Sequence, residues 1–337
     1  MSTEIAVREG PPPVLSLLGP VEVLRGDSRF SLGGPQVKRM IVALVGAEGK
    51  HLSHARLKEW VWPGQPADGY PADALHGLAS AVRKAFKETG IPADLTKEGL
   101  SYRLRVADEH VDVRMFREEV RQAQHLLSAG QDAPAVRLLG QALARSKGEP
   151  LTGLDGRPVE RFREALIGEA TEARLILAAA RIKGGDHGEQ IAPLKAIVDQ
   201  DRSNVAAVWL LMHAHFRDHH WELAHRVLQG VPAAPEFLRD LERRMLRSDP
   251  DLYRPEAIDL PGAPVTVTRI EQNDPPKHEK SPRIALTPEE PPRAAPDTPP
   301  DKPRTPRHQR DTVTNNSFGS GDIHTYSAET MNFGNRS

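Results

Sequence analysis

A chain of 337 residues with 38% hydrophobic side chains is long enough for two domains with buried cores. It contains no cysteine, which excludes disulfide bonds, thiolate metal sites and cysteine nucleophiles. The formal net charge is −1, but residues 1–106 carry 14 Lys and Arg against 11 Asp and Glu, a mild positive bias that is compatible with a nucleic-acid partner.

After a flexible N-terminus over residues 1–13, residues 14–108 combine short strands with three helices. The runs "VLSLL", "VEVLR" and "SRFSLGG" predict strands, and Gly19-Pro20 predicts a turn between the first two. Two helices follow, with Pro35 in the first turn of one and Ser53 as the N-cap of the other. A third helix covers residues 73–90, and "DLTKEGLSYRLRV" predicts a hairpin with Gly99 at its turn. This order predicts a winged helix-turn-helix domain.

The third helix, "DALHGLASAVRKAFKETG", has an apolar stripe formed by Leu75, Leu78, Ala79, Val82 and Phe86. The polar side chains left on its outward face are His76, Ser80, Arg83, Lys84 and Lys87. Periodicity allows two interpretations, a solvated basic face or a helix that enters a DNA groove. In the second interpretation these five residues contact bases and phosphates, and the hairpin residues Lys97, Ser101 and Arg103 contact the backbone or the minor groove.

Residues 109–253 are predicted to be helical almost throughout. Asp112 is the expected N-cap of the first of these helices, and Gly130 is expected to end it. Short connectors such as "KGGDHG" and "DRSN" favour antiparallel helix pairs stacked in the tetratricopeptide manner. The predicted fold class is therefore mainly α, a winged helix-turn-helix (α+β) followed by an all-α tetratricopeptide-like domain and a disordered tail.

The C-terminal quarter of the chain differs in composition. Residues 254–311 form a predicted disordered linker, because 14 of the 30 prolines lie between residues 255 and 311. Residues 312–337 are rich in Asn, Gly and Ser with isolated apolar side chains. Two interpretations stay open for this segment, a polar disordered tail or a motif that assembles with a matching motif of a partner protein.

The sequence does not favour other kinds of site. Five histidines lie close together in sequence, His213, His215, His219, His220 and His225, but no Glu stands between His215 and His219 as in metalloproteases, so a structural role is favoured over a metal site. No phosphate loop, nucleophile elbow or paired-carboxylate motif is found, so neither an enzyme nor a cofactor is expected. Without an apolar stretch of signal-peptide or membrane-span length, cytoplasmic residence is expected.

Several segments together resemble a known family. "LLGPVEVLRGD", "SLGGPQVKRMIVALV", "LKEWVWPGQP", "SAVRKAF", "EGLSYRLRV" and "DVRMFREEVRQAQHLLSAG" look like the antibiotic-regulatory-protein family of actinobacterial transcription activators, in the family's order over residues 14–252. The resemblance implies an OmpR-like winged helix, a bacterial transcriptional activation domain, promoter DNA with repeated sites, and RNA polymerase as a partner. It also implies that residues 63–71 are a candidate polymerase-contacting loop.

The third helix departs from the family pattern at one position, because Ala81 stands where the family usually has Arg. Gly77 in the helix interior costs about 1 kcal/mol relative to Ala.

The leading hypothesis is a transcription regulator that binds double-stranded DNA as a homodimer and contacts RNA polymerase. The alternative is a protein-interaction adaptor whose winged helix has lost DNA binding and whose helical repeats and C-terminal motif mediate assembly.

Overall fold

The computed structural model describes residues 11–64 and 73–259. All of the described residues belong to one compact unit. The predicted flexible N-terminus up to residue 10, most of the loop 63–71, the linker from residue 260 onward and the C-terminal motif 312–337 lie outside the described residues.

The chain begins with a three-stranded antiparallel sheet. Its strands are β1 (Val14–Ser16), β2 (Glu22–Arg25) and β3 (Ser28–Phe30), in the order β1-β2-β3. The sharp turn between β2 and β3 contains Gly26, whose φ of 57° is in the left-handed region that glycine adopts without strain. The predicted strands are thus present, and they bury Leu15 and Val23 completely.

Three helices and a second small sheet form the winged helix. The helices are α1 (Pro35–Gly46), α2 (His54–Val61) and α3 (Ala74–Thr89); the strands are β4 (Leu52–Ser53), β5 (Ala93–Glu98) and β6 (Ser101–Val106). The sheet order β4-β6-β5 leaves β5 at an edge. Ser53 Oγ accepts a hydrogen bond from the Arg56 amide, which confirms the predicted cap. Gly99 lies in the hairpin turn with a φ of 55°, as predicted.

The rest of the described chain is helical, as predicted. The helices are α4 (Asp112–Ser128), α5 (Asp132–Ala144), α6 (Arg157–Lys183), α7 (His187–Gln200), α8 (Val205–Arg217), α9 (Trp221–Gln229) and α10 (Glu236–Leu246). Consecutive helices pack against each other, and short 3-10 helices cover Asp108–His110, Pro250–Tyr253 and Pro255–Ile258. None of the described helices is both long and apolar enough to cross a membrane.

The predicted cap role of Asp112 is wrong. Asp112 is the first residue of α4, and Val111 occupies the cap position. The Asp112 carboxylate is buried and accepts hydrogen bonds from the amides of Leu17 and Leu18 at 2.9 and 3.0 Å. It is therefore committed to the chain that leaves β1, a contact across 95 residues of sequence that local pattern cannot reveal.

Buried apolar residues form two clusters, and their division does not follow the predicted boundary at residue 108. One cluster extends from Leu15 through the winged helix to Leu177 in α6, and the other extends from Ala178 to Ile258. The 27-residue helix α6 is about 40 Å long and contributes to both. The winged helix and the first helices of the helical region that follows it, residues 109–253, therefore share a core.

The predicted start of the linker at residue 254 is also wrong. Residues 254–259 are ordered, because Ile258 is buried in the second cluster and its carbonyl accepts a hydrogen bond from Trp209 Nε1 at 2.9 Å. Arg217 donates to the carbonyls of Leu252 and Arg254 at 3.0 and 2.6 Å. Residues 254–259 therefore pack on the end of the helical stack through a buried apolar side chain. The proline-rich composition gave no indication of this packing.

Candidate nucleic-acid interface

Helix α3 buries one face and exposes the other, as predicted. The side chains that it buries are Leu75, Ala79, Val82, Ala85, Phe86 and Thr89. All five predicted contact residues of α3, His76, Ser80, Arg83, Lys84 and Lys87, are exposed. A Cβ added at Gly77 would meet nothing within 4 Å, so the outward face is open at the start of the helix as well.

The two lysines of this face keep their charges near solvent. Lys84 Nζ lies 3.7 Å from a Glu88 carboxylate oxygen, and both side chains are more than 60% exposed. An exposed pair of this kind is worth little in water, so Lys84 can exchange its partner for a phosphate at small cost. Lys87 forms no ion pair within the described residues and lies in the last turn of α3.

His76 and Ser80 form the N-terminal part of the same face. Ser80 Oγ donates a hydrogen bond to the His76 carbonyl at 3.1 Å. The hydroxyl oxygen remains able to accept, and the His76 ring is exposed. These two residues can therefore contribute short polar contacts beside the longer lysines.

Arg83 is exposed at the residue level, but its guanidinium is partly engaged. Nε and one terminal nitrogen both donate to the carbonyl of Leu95, at 3.0 and 2.8 Å. Leu95 lies in β5, the edge strand of the hairpin. Only part of the donor set of Arg83 thus remains for another partner.

The three predicted wing residues occupy different environments. Lys97 is exposed near the hairpin tip, and Ser101 Oγ donates to the Glu98 carbonyl at 2.8 Å. Arg103 is half-buried, and its Nε donates to the carbonyl of Gly49 at 2.6 Å. Leu100, 77% exposed, forms the apolar tip of the hairpin.

A stacked pair that the sequence did not indicate lies beneath these residues. The His54 ring stacks on Tyr102 with ring centroids 5.3 Å apart. Burial lowers the pKa of His54, and the charges of Lys97 and Lys58 lower it further. Burial raises the pKa of Tyr102, while the charge of Arg83 acts in the opposite direction. The alternating pattern of β6 indicates a buried Tyr102, but the pairing with the start of α2 depends on tertiary structure.

Among the described residues, the helical region 109–253 packs on α2 and leaves the polar face of α3 uncovered. Trp60 meets Phe162 of α6 edge-on with ring centroids 6.2 Å apart, and Trp62 is buried, so both tryptophans contribute to the core. The histidines between residues 213 and 225 do not converge on one point. No group of three potential metal ligands forms within the described residues, and His225 is paired with Glu242.

Comparison with known proteins points to regulators. Residues 111–231 match the family model of the bacterial transcriptional activator domain. The regulatory protein AfsR of Streptomyces griseus is 27% identical over 71% of this chain and 25% of its own length. The AfsR protein of Streptomyces coelicolor is 28% identical over 74% of this chain and 26% of its own length.

The transcriptional regulatory protein EmbR of Mycobacterium tuberculosis is 28% identical over 54% of this chain and 47% of its own length. The chain thus spans about a quarter to a half of the curated relatives that it matches. A solved structure of EmbR in complex with a low-affinity phosphopeptide superposes with a TM-score of 0.64 and 26% identity, covering 72% of this chain and 67% of that chain. The mainly helical fold with an N-terminal winged helix is confirmed, and the relatives' names agree with the expectation of a regulator rather than an enzyme.

Proposed function

We propose that this chain, which resembles the antibiotic-regulatory-protein family of actinobacterial transcription activators, is a DNA-binding transcription regulator in which α3 enters the major groove of promoter DNA. The observation that carries the proposal is the open polar face of α3. Arg83, Lys84 and Lys87 are exposed although the opposite side of the helix is buried in the shared core. An α-helix with one free basic face fits the width of the major groove.

Within this proposal the contacts divide by chemistry. Lys84 and Lys87 neutralise phosphates or donate to guanine edges, while His76 and Ser80 make short contacts to bases or backbone. Lys97 and Ser101 meet the sugar-phosphate backbone at the hairpin tip. The mechanism is positional, because phosphate contacts set the register and α3 reads the sequence.

The remaining partners belong to the same proposal. Two copies on repeated half-sites bind more tightly because the first binding event raises the effective concentration of the second. RNA polymerase is the partner contacted from DNA, with residues 63–71 as the candidate loop. The helical domain mediates dimerisation or signalling, and residues 312–337 remain the candidate motif for a matching protein partner.

The experiment is DNA binding at several salt concentrations, with duplex from the region upstream of the chain's own coding sequence. We expect the logarithm of the binding constant to fall linearly with the logarithm of the salt concentration, and Lys87→Ala to reduce the slope by about one. Lys195→Ala, on the exposed surface of α7, is the matched control and leaves the slope unchanged. Binding without salt dependence, or an equal effect of both variants, would contradict the proposal.

The adaptor hypothesis is the second candidate, and exposed apolar side chains favour it. Trp221, Leu246 and Tyr253 are 49%, 57% and 46% exposed at the C-terminal end of the helical stack. Exposed aromatic and aliphatic groups are typical of protein-binding surfaces. Absence of DNA binding, together with loss of a protein partner in Trp221→Ala, would favour this function over the first.

A further inference from the structure

We propose that Arg83 is a positioning residue, which fastens the edge strand of the wing to the DNA-reading helix and so sets where Lys97 meets the DNA backbone. This inference rests on the proposed function. It assigns to Arg83 a role different from the direct DNA contact that its exposed position on α3 suggests.

The geometry of the contact is the first support. Two nitrogens of one guanidinium converge on a single carbonyl oxygen, that of Leu95, at 3.0 and 2.8 Å. Hydrogen bonds from a charged donor are about twice as strong as neutral ones. The planar guanidinium also fixes the direction of its partner, which a lysine ammonium cannot do.

The position of Leu95 is the second support. β5 pairs with β6 on one side, and within the described residues no strand lies on its other side. The Leu95 carbonyl is therefore an edge-strand acceptor, which needs a partner from outside the sheet. The neighbouring strand β6 is held by its pairing with both β4 and β5 and by the bond from Arg103 to the Gly49 carbonyl. Arg83 supplies the corresponding side-chain attachment for β5.

The consequence concerns Lys97, two residues after Leu95 on the same strand. A shift of β5 relative to α3 moves Lys97 relative to Lys84 and Lys87, and so changes the distance between the groove contacts and the wing contact. If Arg83 fixes this distance, the benefit of Lys97 to DNA binding depends on Arg83. If Arg83 only contacts DNA, the two contributions are independent, because distant contacts are additive.

A double-mutant cycle on DNA affinity distinguishes these cases. In the otherwise unchanged chain, Lys97→Ala reduces the salt slope by about one. In the Arg83→Lys background, which keeps the positive charge, we expect the affinity loss caused by Lys97→Ala to shrink about three- to tenfold. Lys84→Ala is the matched control on the same helix, and its effect should be additive with that of Lys97→Ala. Additive effects of the two substitutions in the Arg83→Lys background would overturn the proposal. If Arg83→Lys only lowers the stability of the protein and does not move Lys97, the effects are also additive, and this result likewise counts against the proposal.

A second measurement needs no DNA. Hydrogen exchange of the β5 amides in the free full-length chain should be about tenfold faster in Arg83→Lys, because a charged hydrogen bond that limits local opening is lost. Amides of α1 provide the internal control. Unchanged exchange of the β5 amides would overturn the proposed positioning role of Arg83, even if the chain binds DNA. Failure of the unmodified chain to bind DNA would instead contradict the proposed function. The exchange result would still decide whether Arg83 fastens β5 to α3.

Discussion

The carboxylate of Asp112 accepts hydrogen bonds from the backbone amides of Leu17 and Leu18, and so joins the first residue of α4 to the segment that follows β1. Both amides are buried with this carboxylate as their acceptor. Asp112→Ala leaves them without a partner, and we expect the free energy of unfolding to fall by about 2–4 kcal/mol. Urea denaturation of the full chain measures the change.

Asp132→Ala provides the control for this prediction. Asp132 is also the first residue of a helix, α5, but it is exposed. Its removal loses only a favourable charge near the helix N-terminus, worth less than about 1 kcal/mol. Equal destabilisation by the two variants would show that the buried contacts of Asp112 contribute nothing special.

His213 should make the stability of the protein depend on pH. Its ring is fully buried, neither ring nitrogen has a hydrogen-bond partner within the described residues, and burial, with the charges of Arg217 and Arg244, lowers its pKa to about 3. In the unfolded chain the same ring titrates near 6.5. Between pH 6.5 and 3 the unfolded state therefore binds a proton that the folded state does not bind. The free energy of unfolding falls as the pH decreases through this range. At pH 5 the loss is roughly 2 kcal/mol.

We expect His213→Leu to remove most of this acid-induced loss, as measured by urea unfolding at pH 7.5 and pH 5. His125→Leu is the matched control, because His125 is an exposed residue of α4. A loss of stability between the two pH values that is the same in both variants would argue against His213 as its source.

Gly77→Ala should stabilise the protein by about 0.5–1 kcal/mol. Gly77 lies in the interior of α3, and an added Cβ has open space around it, so the change only removes the entropic cost of glycine. Gly90→Ala should have the opposite effect, because Gly90 ends α3 with a φ of 73°. Thermal unfolding of the two variants measures both signs, and destabilisation by Gly77→Ala would mean that the open face is covered.

Ile258 tests the unexpected C-terminal closure of the helical stack. This side chain is 2% exposed in the second core, so Ile258→Ala should cost about 2–4 kcal/mol. Leu246→Ala removes a side chain of similar size that is 57% exposed, and should cost less than about 1 kcal/mol. If both variants are equally stable, residues 254–259 do not pack against the helices in solution.

Local pattern predicted most of the secondary structure and the identity of the polar face on α3. The helical spacing of Leu75, Ala79, Val82 and Phe86 fixes which side of α3 is buried, and Gly99 marks the hairpin turn through its backbone freedom. These features depend on neighbours within a few residues, so periodicity and turn chemistry are sufficient to find them.

The features that sequence could not predict depend on contacts between distant segments. Arg83 of α3 donates to a carbonyl of β5, and Arg103 of β6 donates to a carbonyl in the turn after α1. These contacts can be predicted only when the relative positions of the elements are known. Asp112 is of a residue type that favours helix caps, but its carboxylate accepts hydrogen bonds from the segment after β1, 95 residues away in sequence. In each case a charged side chain satisfies a backbone group that lies far from it in sequence.

The most direct test of the central claim is to locate α3 on bound DNA. Because the chain has no cysteine, Ser80→Cys creates a single attachment point for a DNA-cleaving reagent on the open face of α3. Ser128→Cys, at an exposed serine that ends α4, is the control. We expect the reagent at position 80 to cleave the DNA within the site that the protein covers, and the reagent at position 128 to cause no cleavage there. Retained DNA binding without cleavage from position 80, or equal cleavage from both positions, would contradict the account.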